Sequence, residues 1–521
     1  MSDLLAGPAD VAAGLAVHGA GAVGAAARAA LVADDVPARL AAKDPTLWGP
    51  AAEATARDRL GWVDTHCRSR DLLPQLAELV AELGDLDHVV LAGAGGVTLA
   101  AEVIAGCLGR PLTVLDSADP GPVRVALADR PARTVLVLAG RSGLDPTTDA
   151  HLRVWRRAWQ DAGPEADRHV VVVAPPGSEL AALADELGAV VIPADAEVTG
   201  PWSALSAFGL VPAALAGAPV TELLDEAAAL AGALDRDRDN PGLTLGAALG
   251  AAALGGRSTV ALVPDGTGLD GLRHWAGALL AEATGGRLLP LAAESPDARG
   301  ATGPDVLTVG IGGALAPGVM PGVAADMAVN GPLGAQFLTW SYAAATAAAA
   351  LRVDPFAEPA AGAADGPADP PPSSVDGVVE VYAPTGAPAD LAGALRWLVD
   401  GTGPDEHLAV TAHLDRFADA AVAGLRPLLA RATGRPVTFG WGPRRPSHTD
   451  GHARHLQITG AVTDDLAVPG RPYTFAELQA AQAAGDRRAL AGRERQVLRL
   501  HLTERAAGVA QLLDTAGRTR T

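Results

Sequence analysis

The chain has 521 residues, of which 49% are hydrophobic and 3% aromatic, and its formal net charge is −20. This length accommodates about three domains of ordinary size, and the acidic balance excludes the nucleic-acid backbone as a partner. Two cysteines, Cys67 and Cys107, are too few for a disulfide framework and fit a reducing compartment.

The sequence predicts neither export nor a membrane span. Its first residues lack the basic stretch and apolar core of a secretion signal. The uncharged segment Ser203–Thr221 is long enough to cross a bilayer, but proline and glycine interrupt it, which favours a buried helix. We therefore predict a cytoplasmic protein without a membrane partner.

In chain order, the first half predicts a helical segment followed by alternating strands and helices. Residues 1–40 are alanine-rich and predict helix, and fully apolar runs then alternate with segments of helical periodicity. The predicted helices are Ala51–Leu60, Leu72–Leu83, 98–108, Thr148–Trp159 and Glu179–Leu187. The predicted strands are Val89–Ala92, Leu112–Leu115, Thr134–Leu138, His169–Ala174 and Ala189–Ile192.

The second half repeats this alternation. Helices are predicted at 220–235, 243–254, Leu269–Ala283 and Pro332–Leu351, and strands at Thr259–Val263, Arg287–Leu291 and Val306–Val309. Residues 354–377 are rich in proline, alanine and glycine and predict a surface linker. Beyond them we predict strands at Val378–Tyr382, Pro436–Phe439 and Leu456–Thr459, again alternating with helices.

Apolar strands that alternate with helices are typical of parallel sheets covered on both faces. We predict an α/β fold with two doubly wound parallel-sheet sandwich domains and a C-terminal α/β segment. The predicted parts are an N-terminal helical segment at 1–70, a first domain at 71–218, a second at 219–353, the linker at 354–377 and the C-terminal segment at 378–521.

A glycine-rich turn after the strand Val89–Ala92 is the first candidate site. Gly93, Gly95 and Gly96 precede a helix, and such a turn directs backbone N–H groups and the positive end of a helix dipole at one point, which favours a phosphate. Asp116 after the next strand partly fits a dinucleotide fingerprint. The third glycine of that fingerprint is replaced by Thr98, which disfavours it.

Three further segments carry candidate residues. Arg141 and Ser142 follow a buried strand and suit phosphate binding, or they belong to an ordinary solvated loop. Glu282 closes an apolar helix before two glycines and is a candidate general base, or a surface charge at a helix end. The histidine-rich segment 448–455 lacks a cysteine or fourth ligand nearby, so we predict a polar loop and no metal.

Several stretches, taken together and in order, resemble glucose-6-phosphate isomerase in the form found in high-GC Gram-positive bacteria. They cover nearly the whole chain: Lys43–Pro50, Val114–Ser117, Ser203–Pro212, Gly331–Phe337, Gly434–Pro443, Leu456–Gly460, Pro469–Phe475 and Leu498–Arg505. The resemblance implies two sugar-isomerase (SIS) domains, a sugar phosphate ligand, no cofactor and a homodimer or an association with an active paralogue.

By the same resemblance, the catalytic residues are Glu282, as the base of an aldose–ketose isomerisation, and His448. The groups that bind the substrate phosphate are Gly95, Gly96, Thr98, Arg141, Ser142 and Thr147.

The chain departs from the family pattern at its charged positions. Pro201 stands where the family has an arginine, and Gly286 where it has a lysine after the glutamate. Val97 replaces a hydroxyl, Asp145 adds an acid to the second loop, and the segment from His448 is shortened and lacks its lysine. Lys43 is the only lysine in the chain, so no neighbouring lysine compensates.

These departures predict a family member with lost or much reduced isomerase activity that retains a sugar-phosphate-binding or regulatory role. The alternative is an active phosphosugar isomerase in which Glu282 is the base and charge-stabilising groups have moved. An NAD-binding enzyme is disfavoured by the incomplete fingerprint.

Overall fold

A computed structural model of the chain describes residues 10–162, 169–316, 318–358, 371–443, 452–493 and 495–519. These residues form two compact units. The larger unit takes its residues from Met1–Asp116, Asp129–Asp297 and Ala301–Glu358, and the smaller from Ser117–Ala128, Ala298–Gly300 and Pro359–Thr521. The five-part division expected from the sequence remains a prediction.

Strands and helices alternate along the described chain. The strands are β1 (Asp10–Ala12), β2 (Leu15–His18), β3 (His88–Gly93), β4 (Thr113–Leu115), β5 (Thr134–Ala139), β6 (Val170–Ala174), β7 (Val190–Pro193), β8 (Thr259–Pro264), β9 (Leu289–Ala292), β10 (Val306–Gly312), β11 (Met327–Asn330), β12 (Ser374–Asp376), β13 (Val379–Tyr382), β14 (His407–His413), β15 (Val437–Trp441), β16 (Ala453–Gly460) and β17 (Val497–Leu502).

The helices begin and end close to the predicted positions where apolar periodicity is strong. They are α1 (Ala20–Ala33), α2 (Val36–Ala41), α3 (Glu53–Arg57), α4 (Thr65–Arg68), α5 (Leu73–Glu82), α6 (Gly96–Cys107), α7 (Pro120–Ala128), α8 (Pro146–Ala162), α9 (Glu179–Leu187), α10 (Ala207–Leu215), α11 (Val220–Ala231), α12 (Pro241–Leu254), α13 (Leu272–Ala283), α14 (Leu333–Leu351), α15 (Leu391–Asp400), α16 (Leu425–Thr433), α17 (Phe475–Ala491) and α18 (Arg505–Arg518).

The first sheet of the larger unit is entirely parallel, with the order β4-β3-β5-β6-β7. Strands β3, β5 and β6 are buried along their whole length, as expected for β-branched and aliphatic runs covered on both faces. After β3 the chain forms β4 on one side of β3, and it then crosses over to form β5 on the other side of β3. In sheets of this kind, ligands bind at the carboxyl ends of the strands on either side of such a reversal, which here are β3 and β5.

The second sheet has the order β1-β2-β11-β10-β8-β9, and β8, β9, β10 and β11 are parallel. The predicted helix over residues 1–40 is wrong for Asp10–His18, which form the antiparallel hairpin β1–β2 on this sheet. Leu15 and Val17 are buried there. Alanine-rich composition favours helix locally, but pairing with β11 and burial of these two side chains outweigh that preference.

The two sheets of the larger unit share one hydrophobic core. Its largest fully buried side chains include Trp275, Trp340, Phe208 and Phe337. The predicted buried helix within Ser203–Thr221 is confirmed as α10, eight of whose nine residues are buried. Among the described helices, none combines the length and the apolar character that a bilayer span requires.

The smaller unit contains a third sheet, with the order β12-β13-β17-β16-β14-β15. Strands β14 and β17 were not predicted. Strand β12 lies within the predicted linker, half of which falls outside the described residues. One face of the sheet contributes aliphatic side chains to a separate core. The other face carries buried polar groups such as His413. Burial lowers the pKa of His413 to about 4, and the positive charge of Arg499 makes a smaller contribution in the same direction. The predicted fold class, parallel α/β sheets followed by a C-terminal α/β segment, is confirmed.

Candidate functional site

The first glycine turn connects β3 to α6 at the reversal point of the first sheet. Gly93 is paired with Ala139 of β5, and a Cβ on Gly93 would lie 2.7 Å from the Ala139 carbonyl oxygen. Gly95 precedes the helix with φ 72° and ψ −148°, a conformation essentially restricted to glycine. The turn after β3 therefore starts beside the loop after β5, as two candidate binding loops should.

The hydroxyl of Thr98, a predicted phosphate ligand, faces its own loop. Thr98 is 1% exposed, and its Oγ1 donates to the Gly95 carbonyl oxygen at 3.2 Å. The neighbouring Val97, which replaces a family hydroxyl, is also buried. The first loop thus presents glycine backbone, and in this arrangement the Thr98 hydroxyl stabilises the turn.

Gly96 lies against the segment Thr199–Ser203, where the family resemblance expects an arginine. A Cβ on Gly96 would lie 2.9 Å from the carbonyl carbon of Gly200 and 2.9 Å from the nitrogen of Pro201. Trp275 of α13 donates its indole N–H to the Pro201 carbonyl oxygen at 2.8 Å, and both Pro201 and Trp275 are buried. Backbone and indole therefore hold Pro201 in place.

Glu282, the predicted base, lies at the end of α13 and faces the same segment. A Cβ on Gly200, which has φ 54°, would lie 3.2 Å from each carboxylate oxygen of Glu282. Glu282 is half-buried. The structure therefore brings together the first glycine loop, the Gly200–Pro201 segment and the Glu282 carboxylate, although they are separated by about a hundred residues each along the chain.

The second loop, after β5, exposes Arg141 and Ser142 to solvent. The guanidinium of Arg141 lies 4.0 Å from the Glu358 carboxylate, and the Ser142 carbonyl accepts a hydrogen bond from the Leu180 amide at 2.7 Å. Arg141 is thus an exposed cation with an acidic neighbour, and an ion pair at this distance and exposure contributes little to stability.

Thr147, also a predicted phosphate ligand, is buried at the start of α8. The carboxylate of Asp145 accepts hydrogen bonds from the backbone N–H of Thr147 at 2.9 Å and of Thr148 at 3.2 Å. Asp145 is therefore the N-cap of this helix, and Pro146 is its first residue. The residues Asp145-Pro146-Thr147 form a pattern that is typical of a helix start. From the sequence, Asp145 was interpreted only as an added acid in the second loop.

Other predicted residues lie elsewhere or outside the described chain. His448 falls in the segment 444–451, which lies outside the described residues. Lys43 forms an ion pair with Asp64 at 2.7 Å, so the one lysine has an acidic partner. Within the described residues, no group of three or more histidine, cysteine, aspartate or glutamate side chains is arranged to hold a metal ion.

Substitution of Gly96 by alanine is expected to lower the free energy of unfolding by about 1–3 kcal/mol, because the added methyl meets backbone that cannot rotate away. Gly106→Ala in the same helix is the matched control. A Cβ there meets nothing within 4 Å, so we expect unchanged or slightly higher stability. Denaturant unfolding of both variants measures the difference, and equal stabilities would contradict the close approach of Gly96 to Pro201.

No family model matches the chain. The chain is 33% identical over 217 residues to a probable glucose-6-phosphate isomerase of Haloarcula marismortui, covering 40% of this chain and 49% of the relative. A probable glucose-6-phosphate isomerase of Natronomonas pharaonis is 36% identical over 212 residues, covering 39% of this chain and 48% of the relative. The chain thus spans about half the length of the curated relatives that it matches.

Among solved structures, a glucose-6-phosphate isomerase from Chlamydia trachomatis matches with a TM-score of 0.52 and 14% identity, covering 69% of this chain and 88% of the other. At this identity the likeness shows the fold alone. The predicted SIS-type arrangement is confirmed, and curated relatives named as probable glucose-6-phosphate isomerases support the resemblance over about two fifths of the chain. The Gram-positive type remains a prediction.

Proposed function

We propose that this protein is a sugar-phosphate-binding relative of glucose-6-phosphate isomerase in which isomerisation is lost or much reduced. The relatives named as probable glucose-6-phosphate isomerases support a phosphosugar ligand. One observation supports reduced activity: the Gly200–Pro201 segment, packed against Gly96 and bonded to Trp275, lies beside Glu282, and by the resemblance Pro201 stands where the family has an arginine.

The chemistry implied by the resemblance explains why this position matters. A carboxylate removes the proton from C2 of the open-chain sugar and returns it to C1, and negative charge accumulates on the oxygens of the enediolate. Groups that stabilise this charge supply much of the rate. Glu282 is placed to move the proton, but Thr199–Ser203 contains no cationic side chain and Pro201 lacks even an N–H donor.

The proposed ligand contacts follow from the loops already described. The backbone of Gly95 and Gly96 and the exposed side chains of Arg141 and Ser142 would bind the anion, with Thr98 and Thr147 shaping the two loops. His448 is proposed as an auxiliary catalytic group by resemblance only. We also propose that the protein acts in the cytoplasm as a homodimer or in a complex with an active paralogue.

Isothermal titration calorimetry with 6-phosphogluconate tests the binding role. We expect saturable binding at or below millimolar ligand for the wild type. Arg141→Ala is expected to weaken it by about tenfold, because a hydrogen bond to a charged group contributes about 1.5–3 kcal/mol. The matched control is Arg157→Ala, which removes an exposed arginine that pairs with Asp161 on α8.

Absence of binding to the wild type at millimolar ligand would remove the sugar-phosphate-binding role and leave only association with a partner. The alternative is an active isomerase with Glu282 as base, for which the Glu282 carboxylate beside Gly200 would be the proton acceptor. Turnover measurements distinguish the two.

A further inference from the structure

Two arginines of the larger unit meet at one carboxylate. Nη2 of Arg59 lies 3.6 Å from Oε1 of Glu358, and Nη1 of Arg141, on the second loop, lies 4.0 Å from the same oxygen. Charge-assisted hydrogen bonds between such groups are about 2.7–2.9 Å long, so both contacts are longer than a direct bond. Two cations therefore face a single anion, and neither of them is bound closely to it.

Arg59, which follows α3, is less exposed than an ordinary surface arginine. Its side chain is 19% exposed, compared with 65% for Arg57 at the end of the helix itself. Among the described residues, Nη1 of Arg59 is buried and has no hydrogen-bond partner. A buried N–H group without an acceptor is unfavourable, because it loses its contacts with water and gains no bond in return. Arg59 thus has a donor that an anionic ligand would satisfy.

An aromatic contact places these charges near the segment that lacks the family arginine. Phe356, two residues before Glu358, is buried, and its ring centroid lies 5.3 Å from that of Trp202. Trp202 directly follows Pro201, where the resemblance expects an arginine. Glu358, and with it Arg59, therefore lies near the segment from which that cation has been lost.

A phosphate fits the two guanidinium groups better than the Glu358 carboxylate does. Two nitrogens at 3.6 and 4.0 Å from one oxygen lie within the sum of these distances, about 8 Å, of each other. A phosphate that accepts a bond of about 2.8 Å on each of two oxygens spans a similar distance. Its charge of about −2 at neutral pH balances two arginines, which one carboxylate does not. Glu358 is 63% exposed, so water can replace its contacts when it is displaced.

We propose that Arg59 and Arg141 together bind the phosphate of the ligand, and that Glu358 occupies their site as an internal anion until the ligand displaces it. Arg59 is then a phosphate-binding residue that the family resemblance did not assign, and Glu358 limits the affinity of the site. The identity of the ligand as a sugar phosphate rests on the proposed function. The phosphate on C6 lies away from C1 and C2, so these arginines do not replace the cation that stabilises an enediolate.

Isothermal titration calorimetry with inorganic phosphate and with 6-phosphogluconate, at constant ionic strength, tests this assignment. Arg59→Ala is expected to weaken binding of 6-phosphogluconate by about tenfold, as for the loss of one hydrogen bond to a charged group. Arg59→Lys keeps the charge but loses the planar fork of donors, so a smaller loss is expected. Glu358→Gln removes the competing charge, and we expect both probes to bind about three- to tenfold more tightly.

Two control variants alter an exposed ion pair on the neighbouring helix. Arg57→Ala and Glu53→Gln each remove one partner of a contact of 2.8 Å on α3, and both affinities should stay unchanged. If Glu358 competes for the arginines, Glu358→Gln should gain less affinity in a chain that already carries Arg59→Ala.

The proposal is overturned if Arg59→Ala binds 6-phosphogluconate as tightly as the wild type, or if Glu358→Gln gains no affinity at an unchanged melting temperature. Should Arg59→Ala fail to fold, Arg59→Lys and Glu358→Gln decide the matter between them. For these two variants, wild-type affinity in the first and no gain in the second contradict the arginine site.

The two probes separate this assignment from the proposed function. Phosphate binding to Glu358→Gln that depends on Arg59, with 6-phosphogluconate bound no more tightly than phosphate, supports the arginine site and removes the sugar-phosphate role. Binding of 6-phosphogluconate that neither Arg59 nor Glu358 affects leaves the proposed function in place and overturns the arginine site.

Discussion

Wild-type protein is expected to convert fructose 6-phosphate to glucose 6-phosphate at a rate at least on the order of 10²–10³-fold below that of an isomerase with the full set of charged groups, because removal of one preorganised donor alone has an effect of this size. By the family resemblance, three such groups are missing: an arginine where Pro201 stands, a lysine where Gly286 stands and a lysine in the segment after His448. Their effects are not additive, so the factor is a lower bound.

A coupled assay that follows glucose 6-phosphate formation measures this rate. Any residual turnover should disappear in Glu282→Gln, because an amide cannot take the proton from C1 of fructose 6-phosphate and deliver it to C2. Turnover within tenfold of an ordinary isomerase would contradict the proposed loss and favour the alternative in which charge-stabilising groups have moved. Residual turnover that survives Glu282→Gln would show that this carboxylate is not the base.

Trp275→Ala is expected to lower the free energy of unfolding of the larger unit by about 3–5 kcal/mol, the range for truncation of a fully buried aromatic side chain. Trp275 is 0% exposed, and its ring lies edge-on to that of Phe337, with 4.7 Å between centroids. The substitution also removes the donor to the Pro201 carbonyl, which leaves a buried acceptor without its partner.

Trp275→Phe separates packing from hydrogen bonding. It keeps most of the buried ring but loses the N–H, so we expect a smaller loss of about 1–3 kcal/mol. Substitution of the exposed neighbour His274 by alanine should change stability by less than about 0.5 kcal/mol. Chemical denaturation followed by circular dichroism measures all three, and a Trp275→Phe variant as stable as the wild type would show that the bond to Pro201 contributes nothing.

The local sequence pattern was sufficient to predict a strand or helix wherever the segment is buried on both sides. The aliphatic runs of β3, β5 and β6 and the periodic helices α5, α9 and α13 were predicted to within a few residues, because an apolar run of that length is stable only inside a covered sheet or on a helix face. Segments that are less apolar were missed. Strand β14 mixes histidine and threonine into its sequence, and the hairpin β1–β2 forms only because β11, some three hundred residues later, pairs with it.

The candidate site likewise combines features that the sequence determines with features that depend on the tertiary structure. Sequence alone determined which groups this protein has: the two glycine loops, a carboxylate at position 282, proline at position 201 and a single lysine. Only the tertiary structure decided that Gly96, Gly200 and Glu282 come together, that Trp275 holds Pro201, and that Asp145 caps α8 beside the second loop. Residue identity sets which charges are available, but close contacts between distant segments depend on how sheets and helices pack, and local spacing does not encode that packing.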